Sequence, residues 1–138
     1  MEKITSGIGN YIEICRVNNN VILIQGERNW ENDWNVSANS VGIGISEVDK
    51  FIGALVDVTH GKSPIKVGIN TIRTKTRHTE SYNKECIEIS HKRKSIGKNE
   101  YDRVIVGISK LSDLIEAIKR VAKGDSDTTI RIAETKFM

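Results

Sequence analysis

The chain has 138 residues, 21 Lys/Arg against 18 Asp/Glu for a net charge of +3, one proline (Pro64) and two cysteines. That length sets one domain, large enough to bury a core without crosslinks. No apolar run reaches the roughly 18 residues of a spanning helix, so no membrane-spanning segment is expected.

Met1 to Ser6 contains no basic stretch followed by an apolar run, so no secretory leader is expected. Cys15 and Cys86 lie far apart, and nothing in the sequence demands a bridge between them. Two thiols in a reducing cytoplasm are the default expectation, with a cytoplasmic or nucleoid-associated location. Twenty-one isoleucines against two Phe, two Trp and three Tyr give an aliphatic, β-branched core, which favours sheet.

In chain order, residues 9–17 and 21–28 alternate as strands around Asn18-Asn19-Asn20, a hairpin turn of residues that tolerate positive φ. A polar insertion with Trp30 and Trp34 follows, then a strand over 39–45. The spacing of Val48, Phe51, Ile52, Leu55 and Val58 predicts a helix. Ser46 is expected as its N-cap with Asp49 completing a capping box, and Gly61 as its C-terminal glycine. Strands are expected over 65–77 and 84–93, joined by a polar turn at 79–83, and a further strand over 101–108. A second helix carries Leu111, Leu114, Ile115, Ile118 and Val121, with Ser109 as cap and Gly124 as terminator. A last strand is expected over 128–137.

The chain repeats itself. Residues 41–61 match 104–124, 63 positions on, with eight identities in 21. Upstream, Tyr11-Ile12-Glu13-Ile14 echoes Cys86-Ile87-Glu88-Ile89 at a spacing of 75, which marks residues 28–39 as an insertion in the first copy. On that match Glu13 and Glu88 are equivalent strand-face polar residues. Two matches in the same order imply duplication. The predicted fold class is α+β: an antiparallel sheet with two helices on one side, built from a strands-then-helix unit (1–62) and its copy (63–138), the copy carrying the C-terminal strand.

Charge is unevenly spread. Residues 1–61 hold four Lys/Arg against eight Asp/Glu, 62–98 hold ten against three, and 99–138 balance at seven each. A concentrated basic middle points to a polyanionic partner, the plainer reading being a solvated charged face. Arg73, Lys75 and Arg77 recur at period two, so they share a strand face. The next strand returns antiparallel, bringing Lys84 beside the turn and Lys92, Arg93 and Lys94 to its far end, with Lys98 beyond. A hairpin of this kind lays the charges out as a stripe, and edge lysines would equally serve to prevent aggregation. Tyr82, Tyr101, Trp30 and Trp34 are the aromatic candidates for base stacking, although Glu27, Glu31 and Asp33 surround the tryptophans.

The strand-into-helix junctions, Gly44-Ile45-Ser46 with Phe51 and Leu55, and Gly107-Ile108-Ser109 with Leu114 and Ile118, resemble single-stranded-DNA-binding transcriptional coactivators of the positive-cofactor type. Those proteins have four strands and a helix per subunit and pair as dimers. Whirly proteins join two such units in one chain, and Pur-type proteins are also twofold repeats of strands and a helix. The resemblance covers most of the chain in architecture and about 20 residues per copy in sequence. The Whirly Lys-Gly-Lys signature is absent, with residues 92–98 only a loose analogue. The resemblance implies a single-stranded nucleic-acid partner, DNA or RNA, clamped on an open sheet face. It also implies a homo-oligomer as a natural assembly and roles in replication, recombination or transcription.

No catalytic constellation is visible, so a non-enzyme with no cofactor is expected. His60, His78 and His91 have no metal-ligand spacing with Cys15 or Cys86. Gly61-Lys62-Ser63 imitates the end of a phosphate loop but follows a helix instead of opening one. A protein-binding regulatory module without catalytic activity is the second expectation.

Overall fold

The computed structural model describes residues 10–27, 38–78, 83–95, 98–124 and 128–131. The first hairpin pairs β1 (Asn10–Val17) with β2 (Asn20–Glu27) in the register Val17↔Asn20. Asn18 takes φ 55° to close it, a region that Asn enters at low cost. β3 (Ala38–Gly44) follows, then a 3-10 turn, Ile45–Glu47, and α1 (Val48–Val58). β4 (Ile65–Val67), β5 (Asn70–His78), β6 (Asn83–Ser95) and β7 (Lys98–Gly107) form a meander. A second 3-10 turn, Ile108–Lys110, leads into α2 (Leu111–Ala122), and β8 (Thr128–Arg131) comes last.

Two local expectations are corrected. The strand expected over 65–77 is two strands, because Gly68 adopts φ 60° and turns the chain between Val67 and Asn70. Ser46 and Ser109 are not N-caps. Each sits inside its 3-10 turn, and neither cap position makes a side-chain hydrogen bond. The turn delays both helices to Val48 and Leu111, and the Ile45 N–H is satisfied by the Asn19 carbonyl at 2.8 Å. The C-terminal glycines do follow expectation: Gly61 and Gly124 have φ 89° and 91°, left-handed values that suit residues without Cβ.

The class is α+β with the duplicated strands-then-helix arrangement. Its strands divide between two four-stranded antiparallel sheets, β3-β2-β1-β8 and β4-β5-β6-β7. The halves interlock. α1 leaves the first sheet and packs on β4 and β5 of the second; α2 leaves the second and packs on β1, β2 and β8 of the first. The strand after each helix does the same: β4 follows α1 onto the second sheet, and β8 follows α2 onto the first. Thus the C-terminal strand, although grouped with the second copy by sequence, completes the first copy's sheet.

The ladders fix which residues are equivalent. Cys86 pairs with Gly107 and Ile89 with Val104, while Asn20 pairs with Gly44 and Leu23 with Val41. β6 therefore corresponds to β2, and β5 to β1. The echo of Ile12-Glu13-Ile14 in Ile87-Glu88-Ile89 links non-equivalent strands, and the register puts Ile22 in the place of Glu88. Both stretches are buried strand with one aliphatic parity facing the core, and a short alternating pattern recurs in any such strand.

One core serves both halves. Ile12, Ile14, Val21, Leu23, Val41 and Ile43 come from the first sheet, and Ile72, Ile87, Ile89, Val104 and Val106 from the second. Phe51, Leu55, Leu114 and Ile118, all fully buried, supply the helix side. Each sheet thus turns one parity of residues toward the helices, and the other parity makes its outer face, where Glu13, Cys15, Cys86, Glu88 and Ser90 on the inner strands are themselves buried.

Candidate functional site

The outer face of β5, β6 and β7 gathers most of the basic candidates. Directly opposed residues in an antiparallel pair share a face. Arg73 opposes Glu88, Lys75 opposes Cys86, Ser90 opposes Arg103, and Lys92 opposes Tyr101. The inward parity on the same strands is apolar: Ile72, Ile87, Ile89, Val104 and Val106 are each 0% exposed. Alternation of aliphatic and charged residues therefore builds a core on one side and a cationic surface on the other.

The centre of that surface is an acid. Glu88, on the middle strand, is 6% exposed. Lys75 Nζ lies 3.2 Å from its Oε2, Arg73 Nε 3.8 Å from its Oε1, and Arg103 Nε 3.9 Å from its Oε2. The three cations come from strands on both sides and stay about half exposed. Arg103 also lies over the Tyr101 ring, 5.4 Å from its centroid, a cation–π distance. Tyr101 is 43% exposed, so its ring offers area for stacking.

Arg77 opposes Lys84, as hairpin geometry required. β5 stops at Asn70, so the stretch from Lys92 to Ser95 pairs only with β7 and extends the sheet as a two-stranded ribbon. Lys92 and Lys94 occur along it on the register of the outer face, whereas Arg93, opposite Glu100, and Lys98, opposite Ser95, fall one register step out of line with them. Arg77, Lys84, Arg93, Lys94 and Lys98 are placed by strand register. Tyr82, Trp30 and Trp34 lie outside the described residues.

Arg103 was not singled out from sequence, and Glu88 was read there only as a strand-face polar residue. Arg103 could have been found, because Tyr101 and Arg103 alternate at the strand period. The place of Glu88 among the cations could not, since it depends on which strands flank it. The equivalent outer positions of the first sheet carry no such charge: Cys15 stands for Arg73, Val17 for Lys75, Ile22 for Glu88 and Ser40 for Arg103. The cationic face thus belongs to one copy of the repeat.

On the opposite side, at the base of the ribbon, His91 Nε2 lies 3.3 Å from Asp102 Oδ2. Among the described residues no three His, Cys, Asp or Glu side chains converge as metal ligands, and no helix is long and apolar enough to cross a membrane. Cys15 and Cys86 are both buried. No protein-family model matches this chain, and no curated protein matches it in sequence.

Proposed function

We propose that the outer face of β5–β6–β7 binds single-stranded nucleic acid, DNA or RNA, in replication, recombination or transcription. One observation carries this reading: Arg73, Lys75 and Arg103 surround one spot, with the half-exposed Tyr101 ring beside them on the same face. Cations answer the phosphates and an aromatic ring accepts any base, the combination that sequence-tolerant single-strand binding needs. Residues 62–98, with ten Lys/Arg against three Glu, supply most of the charge. The ribbon carrying Lys92 and Lys94 lengthens the surface, which suits an extended polymer better than a single small anion. Binding and positioning account for the role, and no cofactor or chemical step enters it. A cytoplasmic or nucleoid-associated setting fits such a partner, and a homo-oligomer would multiply the surface.

Fluorescence anisotropy with labelled oligothymidylate and oligouridylate tests the reading. Affinity should fall steeply with salt, with a log–log slope of about −0.7 per phosphate neutralised. Replacing Arg73, Lys75 and Arg103 together by Gln should remove most of the binding. Undiminished binding by that variant would exclude this face. No binding by the wild type at low salt would point to a protein partner instead.

A further inference from the structure

We propose that Glu88 sets the affinity of this surface: its carboxylate is a built-in stand-in for phosphate that holds the three cations together and opposes the incoming strand. The inference rests on the nucleic-acid reading above.

Glu88 lies on the middle strand, its side chain 8% exposed, while those of Arg73, Lys75 and Arg103 are 47%, 49% and 53% exposed. The acid is at the floor of the cluster and the cations form its rim. Only Lys75 reaches hydrogen-bond distance, donating to Oε2 at 3.2 Å. The two arginine contacts, at 3.8 and 3.9 Å, are too long for hydrogen bonds. They are held by charge alone. Each guanidinium has five N–H donors, and the distances to Glu88 leave that capacity available to another acceptor. A phosphate above the rim would meet these donors and would also meet the negative charge beneath them.

The repeat shows that the sheet does not need an acid here. Ile22 occupies the equivalent register, and there Cys15, Val17 and Ser40 replace the three cations. At that register, where the cations are missing, the acid is missing too; the acid on that face of the first sheet, Glu13, lies one residue pair away. Three cations also exceed what one carboxylate needs for neutralisation, so the cluster keeps a net positive charge. Glu88 therefore gathers the cations when the face is empty and lowers the hold on a strand when it is occupied. The result is a surface from which nucleic acid can be released.

The test compares wild type, Glu88→Gln and Glu88→Ile on labelled oligothymidylate at about 50 mM and about 200 mM salt. Glu88→Gln keeps the shape and one acceptor oxygen, whereas Glu88→Ile copies the Ile22 position and remains informative if the first variant does not fold. A folded variant should bind about fivefold tighter at the lower salt, the scale of one ion pair whose cations are half exposed. Its salt slope should be steeper, because cations no longer shared with Glu88 release more counterions. A purely structural ion pair would change the urea midpoint and leave that slope alone. If the wild type binds and the folded variants bind no tighter, this role for Glu88 is wrong while the binding function stands. If neither wild type nor variants bind at the lower salt, both are wrong.

Discussion

Gln25 holds both backbone groups of Ile105: its Nε2 donates to the Ile105 carbonyl at 2.7 Å, and its Oε1 accepts from the Ile105 N–H at 2.8 Å. Gln25 belongs to β2 and Ile105 to β7, the edge of the other sheet. A related contact runs the opposite way, Asn70 Nδ2 of β5 donating to the Gly42 carbonyl of β3 at 2.9 Å. Gly42 and Ile105 are 63 positions apart, the repeat interval. Each sheet therefore sends an amide side chain to the same point on the other's edge strand. Here side chains satisfy edge groups that no ladder between β3 and β7 supplies.

Gln25→Leu should keep the volume and remove both bonds. It leaves the Ile105 N–H and C=O without their partner in a part-buried position, at a cost of about 2–3 kcal/mol. Urea denaturation should show a lower midpoint with an unchanged m-value. A loss under about 0.5 kcal/mol would mean that packing alone joins the sheets, since that is the size of a neutral surface change.

Two glycines should respond oppositely to alanine. Gly53 is exposed on α1 with nothing within 4 Å of an added Cβ, so Gly53→Ala should stabilise by about 0.5–1 kcal/mol through helix propensity. Gly68 combines φ +60° with a Cβ position 2.8 Å from Glu47 Oε2. Gly68→Ala should therefore destabilise by about 1–2 kcal/mol, the order of a left-handed backbone penalty. Thermal melts of both variants check the pair. Equal signs would contradict the turn geometry at Gly68.

Periodicity made much of this fold legible, because it reports which residues face the core. The stripe through Phe51 and Leu55, its copy through Leu114 and Ile118, and the terminal glycines Gly61 and Gly124 are local features, and all stand as expected. The partition into two sheets was not legible. It leaves β3 and β7 as facing edges bridged by contacts such as Gln25 to Ile105, 80 positions apart, and no local pattern encodes such a contact. The exchange of helices was hidden for the same reason: the apolar stripe of α1 fits either sheet. At the candidate site, strand alternation placed Arg73 and Lys75 on one face. The acid beneath them became visible only when the β5–β6 register set Glu88 opposite Arg73.

That register changes what charge reversal at Arg73 and Lys75 should do. As exposed cations alone they would contribute little to folding, but their shared partner is buried. Arg73→Glu with Lys75→Glu would set two carboxylates against Glu88 and lower stability, by about 1–3 kcal/mol for a charge left poorly compensated. Arg73→Gln with Lys75→Gln should cost less, since Gln can still donate to Glu88. Added salt should recover part of the loss in the reversed variant by screening. Equal midpoints for the two variants would mean that Glu88 is indifferent to its neighbours.

The crossed helices give the last expectation. α1 begins where the first sheet ends, yet its buried residue Phe51 lies on the element that packs on β4 and β5. α2 begins where the second sheet ends and carries Leu114 on the element that packs on β1, β2 and β8. Neither half can keep its covering helix without the other, so the halves should unfold together. Phe51→Ala should cost about 3–5 kcal/mol and Leu114→Ala about 2–5 kcal/mol, the range for large-to-small changes in a packed core. Each should lower the stability of both sheets equally. Native-state hydrogen exchange can follow Ile14 and Leu23 in one sheet and Ile72 and Ile89 in the other. In either variant all four amides should lose protection by the same amount. Loss confined to Ile72 and Ile89 in Phe51→Ala would show that the second sheet unfolds by itself and that the exchange of helices does not couple the copies.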